Sequence, residues 1–120
     1  MISEARFFEN ADPILRVEDM AAALRFYVDI LGFNNAPWGD EIFTNVARDQ
    51  ASVYLCCGAQ GRGGAWVWMG VEDVRVVRAH LAAHNWPVVM EPTNFPWALE
   101  IHVEDPDGNM IRFGSEPEPE

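Results

Sequence analysis

Val17-Glu18-Asp19 is followed by apolar residues at Met20, Ala23, Leu24, Tyr27 and Leu31, and then by Gly32. Val71-Glu72-Asp73 is followed by Val74, Val77 and Leu81, and then by Asn85-Trp86-Pro87. Both stretches read the same way. An Asp carboxylate at the start accepts from the first free backbone N–H groups of a helix. Apolar residues at three- and four-residue spacing give that helix one buried stripe. A Gly or Asn tolerant of left-handed backbone ends it. A unit met twice in a chain of 120 residues implies a duplicated supersecondary motif.

Around each helix the chain reads as strands. Pro13 to Val17 precedes the first helix. Phe43 to Val46 and Ser52 to Cys57 follow it, joined through the turn-forming Arg48-Asp49-Gln50. Gln60-Gly61-Arg62-Gly63-Gly64 is a flexible joint, and Ala65 to Gly70 leads into the second helix. Val88 to Met90, Glu100 to Val103 and Met110 to Phe113 come after it. In Asp105-Pro106-Asp107-Gly108-Asn109 the Pro presets φ and the Gly accepts positive φ, so these residues form a turn. The pattern predicts one α+β domain over residues 1–115, made of two tandem βαβββ modules at about 11–60 and 61–115. They form a curved mixed sheet around a cavity, with the helices on the outer face. The tail from 116 to 120 is expected to be disordered.

Strand residues alternate between two faces, and here the faces differ in kind. Leu15, Val17, Val53, Leu55, Val67, Met69, Ile101, Val103, Ile111 and Phe113 make a dry face that packs under the helices. Ile14, Arg16, Ser52, Tyr54, Trp66, Trp68, Glu100, His102, Met110 and Arg112 make the other. Two tryptophans on one strand of an outer face provide stacking planes, and the polar residues beside them orient a ligand. A dimer interface also favours Trp and Tyr, and the two readings are compatible.

The net charge of −11, from 19 acids and 8 bases, argues against nucleic acid and anionic membrane surfaces, which need basic footprints. No apolar run reaches the roughly 18 residues that span a bilayer. No secretory signal is evident, and the expected location is cytoplasmic. Cys56 and Cys57 are neighbours in a strand and point to opposite faces, so they do not form an ordinary structural disulfide. Cys56 has no base beside it and is read as packing. His80 and His84 have the i, i+4 spacing of a metal pair, but they fall off the apolar stripe, on a solvated face with Arg75 and Arg78. His102 is the one credible general base of the cavity face. With no nucleophile or metal placed to use it, its expected role is orienting a ligand or a neighbour.

Pro13-Ile14-Leu15-Arg16-Val17-Glu18-Asp19, Phe26-Tyr27 and Leu31-Gly32-Phe33 resemble the first-module signature of the vicinal-oxygen-chelate superfamily. The run from Val103 to Phe113 resembles its second-module ending. The superfamily includes glyoxalase I, extradiol dioxygenases, fosfomycin-modifying enzymes and bleomycin-resistance proteins. Its enzymes bind a metal at four inward strand positions, which the motif spacing maps to Asp12, Tyr54, Trp66 and Arg112. Asp12 suits a divalent ion, Tyr54 suits it poorly, and Trp66 and Arg112 cannot serve. The expectation is therefore no metal, no cofactor and no catalytic residue. Ala65-Trp66-Val67-Trp68 and Pro96-Trp97-Ala98-Leu99-Glu100 are similar to stretches of bleomycin-resistance proteins, which bind a large cationic aromatic glycopeptide in grooves at a dimer interface.

The resemblance implies a homodimer that sequesters an aromatic, cationic small molecule. Trp38, Tyr54, Trp66, Trp68, Trp97, Glu100, His102 and Arg112 are its expected binding residues. Stacking falls to Trp38, Trp66, Trp68 and Trp97, and counter-charge to Asp40, Glu41 and Glu100. Arg16 and Arg112 on the same face suit an anionic or carbonyl ligand better, unless Arg112 pairs with Glu100 or Asp12. The alternatives are thus a glyoxalase-like enzyme, or a metabolite-binding protein of the same fold.

Overall fold

The structure, a computed structural model, describes residues 7–119. The first half of the chain runs β1 (Ile14–Arg16), α1 (Met20–Leu24), β2 (Asn34–Asn35), β3 (Phe43–Arg48) and β4 (Ala51–Cys56). The second runs β5 (Trp66–Gly70), α2 (Val74–Ala83), β6 (Met90–Asn94), β7 (Leu99–Glu104) and β8 (Met110–Ser115). This is βαβββ twice. The sheet orders, β1-β4-β3-β2 and β5-β8-β7-β6, are the same in both halves. β1 pairs parallel with β4 and β5 with β8, and the other neighbours are antiparallel.

Both helices start as the Asp residues predict. Asp19 accepts from the Ala21 and Ala22 amides at 2.9 and 3.3 Å. Asp73 accepts from the Arg75 amide at 2.9 Å, while Ser115 on β8 accepts from Val74 at 3.2 Å. The first helix does not end at Leu24. It continues as a wider, π-type coil over Arg25–Ile30, in which the Leu31 amide reaches back to the Phe26 carbonyl. This coil turns Phe26 inward beside Tyr27, and both are buried. The apolar stripe therefore includes Phe26, while Leu24 is only half-buried. Gly32 then ends the helix at φ 77°.

Of the expected dry face, Leu15, Val17, Val53, Leu55, Met69, Ile101, Val103, Ile111 and Phe113 are buried with Phe26, Tyr27 and Leu81 in one core, and Val67 is half-buried against it. Each large side chain fully buried in this way stabilises the fold by about 1.5–3 kcal/mol. The core is shared between the halves. Tyr27 donates its hydroxyl to Asp105 at 2.8 Å, and burial followed by the nearby Asp105 charge pushes the Tyr27 pKa up. The Glu18 amide donates to Asp107 at 2.8 Å, Asn109 donates to the Arg16 carbonyl at 3.1 Å, and Phe26 packs on Trp86. The predicted turn at 105–109 is thus also the joint between the modules.

The expectation of one curved sheet takes the form of two four-stranded sheets with no strand pairing between them. The second strand of the second module lies at Met90–Asn94 rather than 88–90. It is an edge strand, where Pro92 is tolerated because no ladder donor is needed on the open side. The tail, expected to be disordered, has partners. Glu118 forms a two-bond ion pair with Arg75, and its backbone bonds twice to the Asn94 side chain. No helix is long and apolar enough to cross a membrane among the described residues.

Candidate functional site

β5 presents Trp66 and Trp68 on the face opposite the core. Trp66 is 61% exposed and Trp68 50%. Parallel pairing sets Trp66 beside Met110 and Trp68 beside Arg112, and antiparallel pairing sets Arg112 beside His102. Trp68 lies across the strand at Gly114, where an added Cβ would fall 2.0 Å from the indole. Arg112 stands over the Trp68 ring at 5.5 Å from its centre. His102 meets the Trp66 ring edge-on at 5.6 Å.

At the centre is Glu100, fully buried. Arg112 grips it with two parallel bonds, from Nε at 3.0 Å and from a terminal nitrogen at 2.9 Å. Trp97 donates its indole N–H at 2.6 Å and His102 bonds through Nε2 at 3.1 Å. A carboxylate only accepts, so His102 carries its hydrogen on Nε2 in this arrangement. The Arg112 bonds hold the Glu100 carboxyl at about 2, against burial that pushes it up, with Trp97 and His102 assisting. Glu100 thus forms the floor of the site and is not a free counter-charge.

The first module carries a second aromatic group. Phe43 stacks on Tyr54 at 5.3 Å, and Trp38 stacks on Phe43 at 6.2 Å. Phe43 was not among the expected residues, although strand alternation through the Phe43–Cys56 and Asn45–Tyr54 pairs places it on the face of Tyr54. Phe95 was also missed. It lies parallel to Trp97 at 4.8 Å, covering one face of that indole. The structure therefore brings together Trp66, Trp68, Glu100, His102 and Arg112 on one sheet with Trp97 from the loop before β7, and Phe43 and Tyr54 on the other with Trp38 from the loop after β2. Asp40 accepts from the Ile42 and Phe43 amides, which lower its pKa and make it a turn former. Glu41 is exposed, and Asp12 accepts from Asn10.

The aromatic face is open. A groove of about 810 Å³ lies elsewhere, between the hairpin tip at Asp49 and Gln50 and α2, with Phe33 and Met69 in its lining. A smaller one of about 300 Å³ runs between the edges of the two modules, from Pro13 and Ser52 to Val67 and Trp68. The donor set at the superfamily metal positions does not fit a divalent ion. The Trp66 indole offers no lone pair in its plane, and Arg112 is a cation already bound to Glu100. His80 and His84 lie on an exposed helix face, where His80 approaches the Ile30 carbonyl at 2.5 Å and His84 bonds back to the His80 carbonyl. No three His, Cys, Asp or Glu side chains converge among the described residues. Cys56 is buried, and Cys57 donates to the Glu18 carbonyl.

Comparison with known proteins agrees with this architecture. The model of the glyoxalase/bleomycin resistance protein/dioxygenase superfamily matches residues 10–113. Among solved structures, TnmS3, an antibiotic binding protein from Streptomyces sp. CB03234, is 24% identical. It superposes with a TM-score of 0.80 over 91% of this chain and 97% of its own. A glyoxalase/bleomycin resistance protein from the same strain is 26% identical, with a TM-score of 0.71 over 88% of this chain and 100% of its own. Lactoylglutathione lyase from Agrobacterium tumefaciens is 17% identical, with a TM-score of 0.76 over 90% of this chain and 94% of its own. Among curated proteins there is no match. With the family model spanning both modules, the chain belongs to the glyoxalase/bleomycin resistance protein/dioxygenase superfamily.

Proposed function

We propose that this protein binds a flat aromatic small molecule and holds it without transforming it. The observation that carries the reading is the pair Trp66 and Trp68, exposed on one strand beside polar groups already fixed by one another. Indole faces bind planar rings. The polar groups around them lack the arrangement of a reaction centre. Glu100 is buried under Arg112 and His102 leans on Glu100, so each is engaged by the other. The likeness to an antibiotic binding protein supports sequestration, and the likeness to lactoylglutathione lyase keeps the enzyme reading as the alternative. The acidity of the chain, −11 overall, favours a cation of the bleomycin type at long range.

The active form is a homodimer in this proposal. An aromatic face left open on one chain is half of a cavity, and a second copy supplies the other wall. Light scattering on the purified protein is expected to give twice the chain mass, and a monomer at micromolar concentration counts against it. Trp66→Ala is expected to weaken binding of a planar aromatic ligand by about tenfold or more, by analogy with aromatic stacking on bases. Equilibrium dialysis with naphthoate measures this directly. Equal affinity in the variant would remove the face from the site.

A further inference from the structure

We infer that the ligand presents an oxygen acceptor, a carbonyl or a carboxylate, to Arg112, so that this guanidinium sets specificity. The inference rests on the aromatic-binding reading above and concerns the charge of the ligand. A guanidinium carries five N–H groups. Two of Arg112's are engaged by Glu100, through Nε and one terminal nitrogen. The remaining three belong to the terminal nitrogens of a side chain that is 37% exposed. Its position is not free to drift, because the planar fork is locked on a fully buried carboxylate. A donor set held in place beside an exposed indole has one chemical complement, an acceptor attached to a ring that lies on the indole.

The same geometry disfavours a cation. The carboxylate expected to attract it, Glu100, is buried and already neutralised by Arg112. The Trp68 ring has a cation over it already, Arg112 itself at 5.5 Å. Trp97 is covered on one face by Phe95 and directs its N–H to Glu100. A ligand ammonium arriving here would meet the exposed N–H groups of Arg112, which offer a cation no acceptor, and not the carboxylate buried beneath them. Exposed charges beyond roughly 8 Å are largely screened at physiological salt. The local charge therefore decides which ligands stay, whatever the long-range field attracts.

The experiment is equilibrium dialysis of the full-length protein against two probes with the same ring system, naphthoate and naphthylmethyl trimethylammonium. The expected result is at least about tenfold tighter binding of naphthoate, the scale of one charge-assisted hydrogen bond. The preference is expected to vanish in the double variant Glu100→Gln/Arg112→Gln, which removes both charges and keeps hydrogen-bonding side chains. Equal or tighter binding of the ammonium probe overturns the inference and leaves aromatic binding intact. An unchanged preference in the double variant overturns it as well. Binding of neither probe overturns the aromatic-binding reading and this inference with it. If the double variant does not fold, the wild-type comparison alone decides.

Discussion

Replacing Arg112 with Met is expected to lower stability by roughly 3–5 kcal/mol near neutral pH, the cost of leaving a buried charge without its partner. The asymmetry of the pair sets this size. Glu100 is fully buried, whereas the Arg112 side chain is 37% exposed. Removing Glu100 frees a guanidinium that can turn toward water. Removing Arg112 leaves a carboxylate that cannot, with only the Trp97 N–H and His102 to hold it. The double variant Glu100→Met/Arg112→Met is expected to recover most of the loss, since an apolar pair in place of a buried ion pair is often neutral or better. Chemical denaturation of the three variants measures the differences. A loss below about 1 kcal/mol for Arg112→Met would place the pair in the class of surface ion pairs.

The sign of the pH dependence follows from the same bonds. Folding lowers the Glu100 pKa from 4.5 to about 2. Its contribution is therefore complete above about pH 4.5 and declines as pH falls toward 2. The gap between wild type and Arg112→Met is expected to narrow over that window, because protonated Glu100 no longer needs a cation.

Asp105→Ala is expected to cost roughly 4 kcal/mol or more, through several broken bonds to one buried group. One oxygen of Asp105 accepts from the Asp107 and Asn109 amides and so shapes the turn. The other accepts from the Tyr27 hydroxyl and the Asn109 side chain. Asn109 in turn reaches the Arg16 carbonyl and accepts from the Ala65 amide. One carboxylate therefore organises the β7–β8 turn and ties it to the helix of the other module. Tyr27→Phe, which removes a single one of these bonds, is expected to cost about 1.5 kcal/mol. Thermal and denaturant unfolding compare the two. An Asp105→Ala loss no larger than that of Tyr27→Phe would mean that the turn holds its shape without its carboxylate.

The repeat, both helix starts, the turn at 105–109 and the two strand faces were legible because each rests on local chemistry. Asp19 and Asp73 cap whatever follows them, and alternation is a property of the strand itself. The Arg112–Glu100 pair was open to inference as well, since both lie on one face of adjacent strands. Alternation tells which side Glu100 faces but not how deep it lies. Its burial depends on Trp97 and Arg112 closing over it, and that takes the tertiary fold. β2 is two residues long and leaves no periodic trace. The strand expected at 88–90 stops short of Pro92, whereas β6 runs through it. The π-type coil at 25–30 breaks the 3.6-residue spacing of the stripe, so the spacing alone leaves out Phe26. Phe43 and Phe95 carry no polar atom, so residue type alone does not separate a ligand face from a core at these positions.

The placement of Trp68 across Gly114 bears on the heat of binding. An indole seated where a methyl group would collide has lost its rotational freedom before any ligand arrives. That loss is incurred when the chain folds, so it does not recur in each encounter. A ring landing on this plate orders little that was disordered. Calorimetry on the intact protein is then expected to show favourable enthalpy with a small entropic penalty, and Gly114→Ala, by unseating the plate, to enlarge that penalty.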